Sequence, residues 1–351
     1  MSSPFPVGPL RSCLVLLCLL ALSACSRPEV FKQESFVFGT RVEVAVYGDD
    51  EALAGRAMGA VLREFDRLHR AYHAWEPSEL TALNEAIAAG RQNVPVSHEL
   101  ATLLAGARDV SMRGDGLFEP ALGRLIALWG FHSDEFKPVL PDPRAVAAIL
   151  ARHPRIAELE IADDRVSCSN PAVEIDLGGY AKGYALDRAA AILRAEGIAN
   201  ALINIGGNVM ALGKKGEQPW RVGIQHPREP APLASMALYD GEAVGTSGDY
   251  QRYFEIDGRR YSHLLDPRTG APANATRSMT VLITPREGAG TLSDAASKPA
   301  FIAGDDWREM TRRHGIEHAL RVAADGRVEV TRALNARLEY YGGVKPDAVV
   351  P

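Results

Sequence analysis

Short alternating segments in the second half of the sequence constrain the fold most strongly. "PWRVGIQHP", "MALYDGEAVGTSG" and "SMTVLITP" are bounded by glycine, proline or aspartate, and each is long enough for one or two strands. Alternation of apolar and polar residues is typical of a strand with one buried face. The Asp257-Gly258 pair within "RYFEIDGRRYSHLLD" predicts a hairpin turn. This half of the chain therefore predicts antiparallel strands.

Helices are predicted before, between and after these strands, where helix formers carry apolar residues at helical spacing. They cover residues 51–72, 79–90, 98–114, 120–131, 141–153, 187–198 and 307–315. Further strands are predicted at "FVFGTRVEVAVYG", "IAELEIA", "RVSCS", "NALINIGGNVMALG" and around Asp325-Gly326. No internal repeat or low-complexity linker separates these elements. We expect one compact α+β domain, mostly antiparallel sheet with packed helices.

Composition bounds the class of protein. The chain has 351 residues, a formal net charge of −5 and 46% hydrophobic residues, which suits a soluble, enzyme-sized protein. The mild acidity and the absence of a dense lysine and arginine stripe argue against nucleic acid as a partner.

The N-terminus predicts export. Arg11 precedes the apolar run "CLVLLCLLAL", which is too short to span a bilayer and reads as a secretory signal over residues 1–24. The following "LSAC" resembles a bacterial lipobox, which implies cleavage before Cys25 and its lipidation. An ordinary signal peptide with a stray cysteine is the alternative. In the lipobox interpretation residues 25–35 form a lipidated polar tether, and residues 36–351 form the folded domain.

Cysteine chemistry is limited in such a mature protein. Cys13 and Cys18 leave with the signal and Cys25 carries lipid, so no intrachain disulfide can form. We expect the remaining Cys168 to be a small buried residue and not a nucleophile.

The segment "EIDLGGYAKGYALD" carries the densest group of candidate binding residues. We expect a strand ending at Asp176, the glycines Gly178 and Gly179, and a helix beginning near Lys182. The glycines allow close approach of the backbone to a ligand, and a helix N-terminus offers N–H groups to phosphate. The segment fits neither a Walker loop nor a G-x-G-x-x-G fingerprint. From the residues alone, a structural turn with a solvated lysine stays open beside the phosphate site.

A candidate base lies in "YSHLLDPRTG", where His263 precedes the Asp266-Pro267 pair in a strand-to-turn context. Such a histidine can be a positioned base, with the acid as its partner or as a turn former. A packed or hydrated histidine is the alternative.

A candidate cation site lies in "SDAASKPAFIAG", residues 293–304. On a helix, Asp294 would face both Ser297 and Lys298, at spacings of three and four residues. A surface ion pair is the simpler interpretation of this pattern.

In order along the chain, these segments resemble the ApbE family, the FAD:protein FMN transferases, in its periplasmic lipoprotein form. The matching stretches include "AWEPSELTALN", "GLFEPALGRLIALWGF", "EIDLGGYAKGYALDRAA", "ALINIGGNVMALG", "TSGDYQRYFEIDGRRYSHLLDPRTG" and "SDAASKPAFIAG". The resemblance covers nearly all of the mature chain and implies a T-fold-like α+β domain. It also implies a reaction in which FAD is split, FMN is joined through a phosphoester to a threonine or serine hydroxyl of a target protein, and AMP leaves.

The resemblance implies roles for individual residues. It places FAD contacts at Phe38, Trp75, Glu119, Asp176, Gly178, Lys182 and Leu265. It places Mg²⁺, the usual metal, at the Gly179 carbonyl, Asp294 and Ser297, so Asp294 is also expected to be essential for catalysis. His263 matches the histidine that we expect to activate the acceptor hydroxyl.

Four matched positions depart from the pattern that the resemblance implies. Phe38 stands where many members have methionine, Trp75 replaces a tyrosine, and Glu119 replaces an aspartate. Lys298 stands where a metal-binding threonine is common, and an ammonium cannot ligate Mg²⁺. Lys298 therefore either points away, with Asp294, Ser297 and backbone carbonyls holding Mg²⁺, or its ammonium occupies the cation's place. Mg²⁺ is the interpretation that the sequence favours.

The resemblance also implies partners and a location. The acceptor is expected to be an FMN-carrying subunit of a membrane electron-transfer complex. The protein itself is expected at the periplasmic face of a bacterial membrane, held by lipid on Cys25. The inner membrane is favoured, and the outer membrane stays open.

Two other functions compete with transfer. One is an FAD-binding lipoprotein without transferase activity, and Lys298 is the feature that favours it. The other is an FAD pyrophosphatase that releases FMN and AMP to water.

Overall fold

The computed structural model describes residues 28–133 and 138–351, so the predicted signal peptide and Cys25 lie outside the described residues. Its strands are β1 Glu29–Val37, β2 Thr40–Gly48, β3 Val94–Pro95, β4 Glu160–Ala162, β5 Arg165–Ser167, β6 Ala201–Ile205, β7 Asn208–Leu212, β8 Trp220–Gln225, β9 Pro232–Leu238, β10 Ala243–Gly248, β11 Tyr253–Ile256, β12 Arg259–Ser262, β13 Thr276–Ile283, β14 His318–Ala323, β15 Val328–Thr331, β16 Glu339–Tyr340 and β17 Ala348–Val350.

Seven of the nine helices in the same residues overlap the helix ranges predicted from the sequence. The nine are α1 Glu51–Ala71, α2 Glu79–Ala88, α3 His98–Arg113, α4 Gly123–Leu128, α5 Pro143–Leu150, α6 Ala181–Ala195, α7 Ala289–Ile302, α8 Trp307–Arg313 and α9 Arg332–Asn335. Polar caps begin several of them; Asp50, for example, accepts a hydrogen bond from the Leu53 N–H at the start of α1. None of these helices combines the length and apolar character needed to cross a membrane.

The central sheet has nine strands in the order β1-β2-β6-β7-β10-β13-β14-β15-β17. Neighbouring strands are antiparallel except β15 and β17, which are parallel. The predicted Asp257-Gly258 turn joins β11 to β12, and both residues have positive φ, as a two-residue hairpin turn requires. The α+β class and the antiparallel sheet are therefore confirmed.

The two faces of this sheet are covered differently. On one face α6 packs against α7, and α7 packs against β10 and β13. On the other face, apolar side chains of the small sheet β16-β9-β8 bury a second cluster against the central sheet, including Trp220, Met236 and Leu320. The helix-covered face holds the larger core.

Close contacts fix where α7 lies. A Cβ on Gly183 of α6 would stand 2.5 Å from the Gly290 carbonyl oxygen, and one on Gly245 of β10 would overlap the Ser293 carbonyl. Without side chains at these positions α7 sits directly against both neighbours. Asp294, in the middle of α7, is thereby brought to the N-terminus of α6.

An aromatic cluster supports the hairpin β11–β12. Phe254 stacks on Tyr261 with ring centroids 5.4 Å apart, and Phe131 stacks on Phe254 at 5.8 Å. Trp129 adds a third layer and donates its indole N–H to the Gly270 carbonyl at 2.7 Å. This packing fixes the segment after β12, which carries His263.

Two sequence predictions about local structure were wrong. Residues 29–35, predicted as a tether, belong to β1, which pairs with β2 along its whole length. The strand predicted to end at Asp176 is reduced to one bridge between Glu174 and Leu122. Cys168 is free and buried, as predicted.

Candidate functional site

A cavity of about 720 Å³ opens between the β1–β2 turn, the glycine loop before α6, the segment after β12, and α7. All seven of the predicted FAD contacts line it, together with Gly179, the predicted base and Lys298. They are Phe38, Trp75, Glu119, Asp176, Gly178, Gly179, Lys182, His263, Leu265 and Lys298. A cavity of this size with apolar walls and a few polar groups is typical of a small-molecule site.

A strained turn places Phe38 in the cavity. Phe38 and Gly39 join β1 to β2, with φ values of 57° and 65°. A bulky residue in this left-handed region costs free energy, and such strain is found where the side chain is needed in one place. The Phe38 ring meets Phe65 and His69 edge-on, at centroid distances of 6.0 and 5.7 Å.

An aromatic wall continues from this turn. His69 contacts His73 at 4.8 Å, His73 contacts Trp75 at 4.7 Å, and Trp75 stacks on His132 at 4.9 Å. The Trp75 side chain is 38% exposed, so part of its ring is available to a planar ligand. None of the three histidines was predicted from the sequence. His73 lies directly before the matched stretch that begins at Ala74, but His132 becomes part of the wall only through tertiary contact.

Asp176 lies at the base of the glycine loop. Its Oδ1 accepts the Gly178 N–H at 2.7 Å, and its Oδ2 lies 3.3 Å from the His132 Nε2. Burial alone would raise the pKa of this carboxyl, but the hydrogen bonds from His132 and Gly178 and the charge of Arg252 hold it below its ordinary value. Asp176 is therefore a carboxylate at neutral pH and orients the glycine loop.

Two lysines contact the loop itself. The Lys182 ammonium donates to the Gly178 carbonyl at 2.9 Å. At the next residue, a Cβ on Gly179 would stand 2.8 Å from Cε of Lys298. Gly179 thus leaves room for the lysine chain that passes beside it.

Asp294 and Ser297 lie behind the cavity wall and do not line it. Asp294 is 1% exposed; its Oδ2 accepts the Gly183 N–H at 2.9 Å and its Oδ1 accepts the Asn208 amide at 3.0 Å. The carboxylate therefore caps the N-terminus of α6, where the helix dipole favours negative charge. Ser297 donates its hydroxyl proton to the Asp294 carbonyl at 2.8 Å and accepts from Ser247 at 2.8 Å.

Lys298 completes this cluster. Its ammonium donates to Asp294 Oδ1 at 2.6 Å and to the Asp294 carbonyl at 2.7 Å. Burial alone would raise the pKa of Asp294, but the charges of Lys182 and Lys298 hold it below its ordinary value. The oxygens of Asp294 and Ser297 that were predicted to bind Mg²⁺ are thus engaged, and an ammonium lies against the carboxylate.

These residues do not fit a divalent cation, because an ammonium already lies where it would meet the Asp294 carboxylate. Elsewhere in the described ranges, no group of three or more histidine, cysteine or acidic side chains is placed to hold a metal ion.

His263 faces the cavity beside this cluster. Its Nδ1 lies 3.1 Å from the Arg252 carbonyl, and because a carbonyl can only accept, Nδ1 carries the proton and Nε2 is the basic nitrogen. Burial, and then the charges of Arg252 and Lys182, lower the pKa of His263 to about 3. The ring is therefore neutral at physiological pH. Arg252, which the sequence analysis missed, is held by the Phe131 and Ser133 carbonyls at 3.0 and 3.1 Å.

Glu119 and Leu265 lie on the remaining wall. Glu119 Oε1 accepts N–H groups of Ile156 at 2.8 Å and Ala121 at 3.1 Å. Burial raises the pKa of Glu119 to about 7, against these hydrogen bonds. Leu265 is 7% exposed and adds apolar surface.

The chain is similar to known proteins over most of its length. The family model described as "ApbE family" matches residues 38–320. The chain is 44% identical over 312 residues to an FAD:protein FMN transferase of Rhodobacter capsulatus, covering 89% of this chain but only 59% of that relative's length. It is 38% identical to an FAD:protein FMN transferase of Klebsiella pneumoniae (strain 342), with 73% of this chain and 78% of the relative covered.

Two solved structures share the fold. The crystal structure of the ApbE protein of Thermotoga maritima superposes with a TM-score of 0.79 at 32% identity, over 88% of this chain and 99% of that one. The Pseudomonas stutzeri flavinyl transferase ApbE in its apo form superposes with a TM-score of 0.74 at 28% identity, over 90% of this chain and 98% of that one.

Proposed function

The chain belongs to the ApbE family, and from that premise we propose that it is an FAD:protein FMN transferase. It takes FAD as substrate and joins FMN through a phosphoester to a threonine or serine hydroxyl of a target protein, releasing AMP. The observation that carries this proposal is the meeting of His263, two lysines and the glycine loop at one end of a cavity whose other wall is aromatic.

The aromatic wall and the lysine-bearing glycine loop of the cavity would bind different parts of FAD. The rings of Phe38 and Trp75 offer a surface on which an isoalloxazine can stack. Lys182 and the glycine loop favour the pyrophosphate, because the loop allows close approach and the ammonium supplies positive charge. Positioning and charge neutralisation are the main requirements of phosphoryl transfer.

His263 removes the proton of the acceptor hydroxyl. Its Nε2 is unprotonated at neutral pH, so it can take the proton as the hydroxyl oxygen attacks the FMN phosphorus. A bond forms between that oxygen and the phosphorus, and the bond from the phosphorus to the bridging oxygen breaks. The bridging oxygen leaves as part of AMP, whose developing charge is neutralised by the lysines.

Mg²⁺ enters no step of this proposal. The resemblance made it the expected metal, but the Lys298 ammonium already contacts the Asp294 carboxylate. Asp294 acts here as the cap of α6 and as the partner of Lys298.

The acceptor and the location extend the proposal. We take the acceptor to be an FMN-carrying subunit of a membrane electron-transfer complex, and the protein to be anchored at the periplasmic face, inner membrane favoured, by lipid on Cys25. Acyl chains would supply membrane affinity.

Cys25→Ala should release the protein to the soluble fraction or leave it unprocessed. Unchanged size and membrane fractionation would contradict the anchor.

Incubation with FAD and a purified FMN-carrying subunit tests the activity. A fluorescent acceptor band on a denaturing gel, with the mass of FMN added at one hydroxyl, is the expected result. Free FMN and AMP with an unlabelled acceptor would indicate a pyrophosphatase. Bound, unconsumed FAD would indicate a binding protein.

A further inference from the structure

The Lys298 ammonium keeps one N–H that nothing in the described part of the chain accepts. An ammonium has three N–H donors, and two of them go to the carboxylate and the carbonyl of Asp294. The Lys298 side chain is only 12% exposed, and that exposed part lines the cavity. A buried cation with an unused donor is costly unless a ligand completes its hydrogen bonds.

The position of this ammonium is set by the glycine loop. The Lys298 chain passes so close to Gly179 that a Cβ there would stand 2.8 Å from its Cε. The Lys182 ammonium donates to the carbonyl of the neighbouring Gly178 at 2.9 Å. A phosphate group bound against this loop would therefore meet both lysines.

Positive charge exceeds negative charge on this wall. The charges of both lysines and of Arg252 act on His263 and contribute to its lowered pKa. The buried acids beside the loop, Asp294 and Asp176, supply two negative charges against the three positive charges of the lysines and Arg252. Such a wall attracts a polyanion and not a further cation.

We propose that Lys298 is the resident cation of the pyrophosphate site, so that this chain binds and cleaves FAD without a divalent metal. The third N–H of the ammonium donates to a pyrophosphate oxygen, and its charge stabilises the AMP leaving group. Asp294 orients the ammonium instead of ligating a metal. The inference rests on the proposed flavin transfer and specifies how that site neutralises its substrate.

FAD affinity with and without metal tests this inference. Wild-type protein is titrated with FAD in EDTA and again in excess Mg²⁺, and the affinities should agree within about two-fold. Lys298→Met keeps the chain length but removes the charge, and should weaken FAD binding in EDTA by about 10- to 100-fold. Lys214→Met is the matched control, since Lys214 is an exposed lysine paired with Glu217 and removed from the cavity wall.

A second variant should make FAD binding depend on Mg²⁺. Lys298→Thr restores an oxygen ligand and releases Asp294, so Mg²⁺ should now strengthen FAD binding by at least about ten-fold. Lys298→Met could unfold because it leaves Asp294 buried and charged. In that case the double variant Lys298→Met/Asp294→Asn, which removes that charge, is titrated with FAD instead.

The outcomes separate this inference from the proposed function. Wild-type protein that binds FAD only with Mg²⁺, or folded Lys298→Met that binds it like wild type, would overturn the role of Lys298 and leave the transferase proposal intact. A folded Lys298→Thr without any response to Mg²⁺ would also overturn it. Wild-type protein that binds no FAD under either condition would overturn the transferase proposal itself.

Discussion

Lys298 and Arg321 are both buried cations, but their hydrogen bonds end in different places. The Arg321 side chain is 1% exposed, and all three of its guanidinium nitrogens donate within the protein. They reach Thr276 Oγ1 at 3.0 Å, the Ala275 carbonyl at 2.8 Å, and Asp305 and Glu329, each at 2.9 Å. Lys298 reaches Asp294 alone and lines a cavity.

The difference in hydrogen bonding distinguishes Arg321, a cation that stabilises the fold, from Lys298, a cation available to bind a ligand. Arg321 ties β14 to β13 and β15, where satisfied donors offset the cost of burial. The Lys298 ammonium donates two hydrogen bonds to Asp294, its one acidic partner. Its third N–H and part of its positive charge face the cavity. His263 follows the same pattern, since Nδ1 is bonded to the backbone and Nε2 is the basic nitrogen on the cavity side.

The largest effect should come from the cavity side. His263→Ala removes the base, and a positioned base contributes about 100- to 10,000-fold in rate. Flavin transfer to the acceptor should fall by that factor while FAD affinity, measured by titration, stays near the wild-type value. Transfer within about three-fold of wild type would remove His263 from the mechanism.

The opposite pattern is expected for the fold-holding cation. Arg321→Met leaves Glu329 buried without its main partner and should lower the free energy of unfolding by about 3–5 kcal/mol, measured in urea. FAD affinity of the folded fraction should not change. Arg327→Met is the matched control, because Arg327 also contacts Glu329 but is 55% exposed, and it should cost at most about 1 kcal/mol. Equal losses in the two variants would contradict the distinction.

Glu119 is a third buried titratable group, and burial disfavours the charged form of its carboxyl. Its folded pKa of about 7 exceeds the ordinary 4.5, so the folded state binds more protons between these values and stability falls as pH rises through them. Glu119→Gln removes this loss, so the free energy of unfolding at pH 8 relative to pH 5 should improve by about 2.5 kcal/mol over wild type. An identical pH dependence in both proteins would show that Glu119 is not buried as described.

The aromatic wall should give the smallest effect. A ring pair contributes about 0.5–1.5 kcal/mol beyond its buried area, so Trp75→Ala should weaken FAD binding by a few-fold or somewhat more. Trp75→Tyr, which keeps an aromatic ring at this position, should bind FAD nearly as wild type does. Loss of transfer without loss of FAD affinity would mean that Trp75 acts on the chemistry and not on binding.

The sequence predicted local patterns well and pairings poorly. Helix periodicity and the Asp-Gly turn were sufficient for most elements, because these signals lie within a few residues. Residues 29–35 of β1 were missed because they form an edge strand with five polar residues and no buried one, and only the pairing with β2 makes them a strand. The spacing of Asp294 and Lys298 was visible, but not that Gly183 and Asn208 would take the remaining carboxylate positions.

A crystal structure of the protein with FAD, grown in the presence of Mg²⁺, tests the role of Lys298 most directly. We expect Nζ of Lys298 to lie about 2.7–2.9 Å from a pyrophosphate oxygen while it still contacts Asp294. A magnesium ion bound to Asp294 and the pyrophosphate, with the Lys298 ammonium displaced from both, would contradict it.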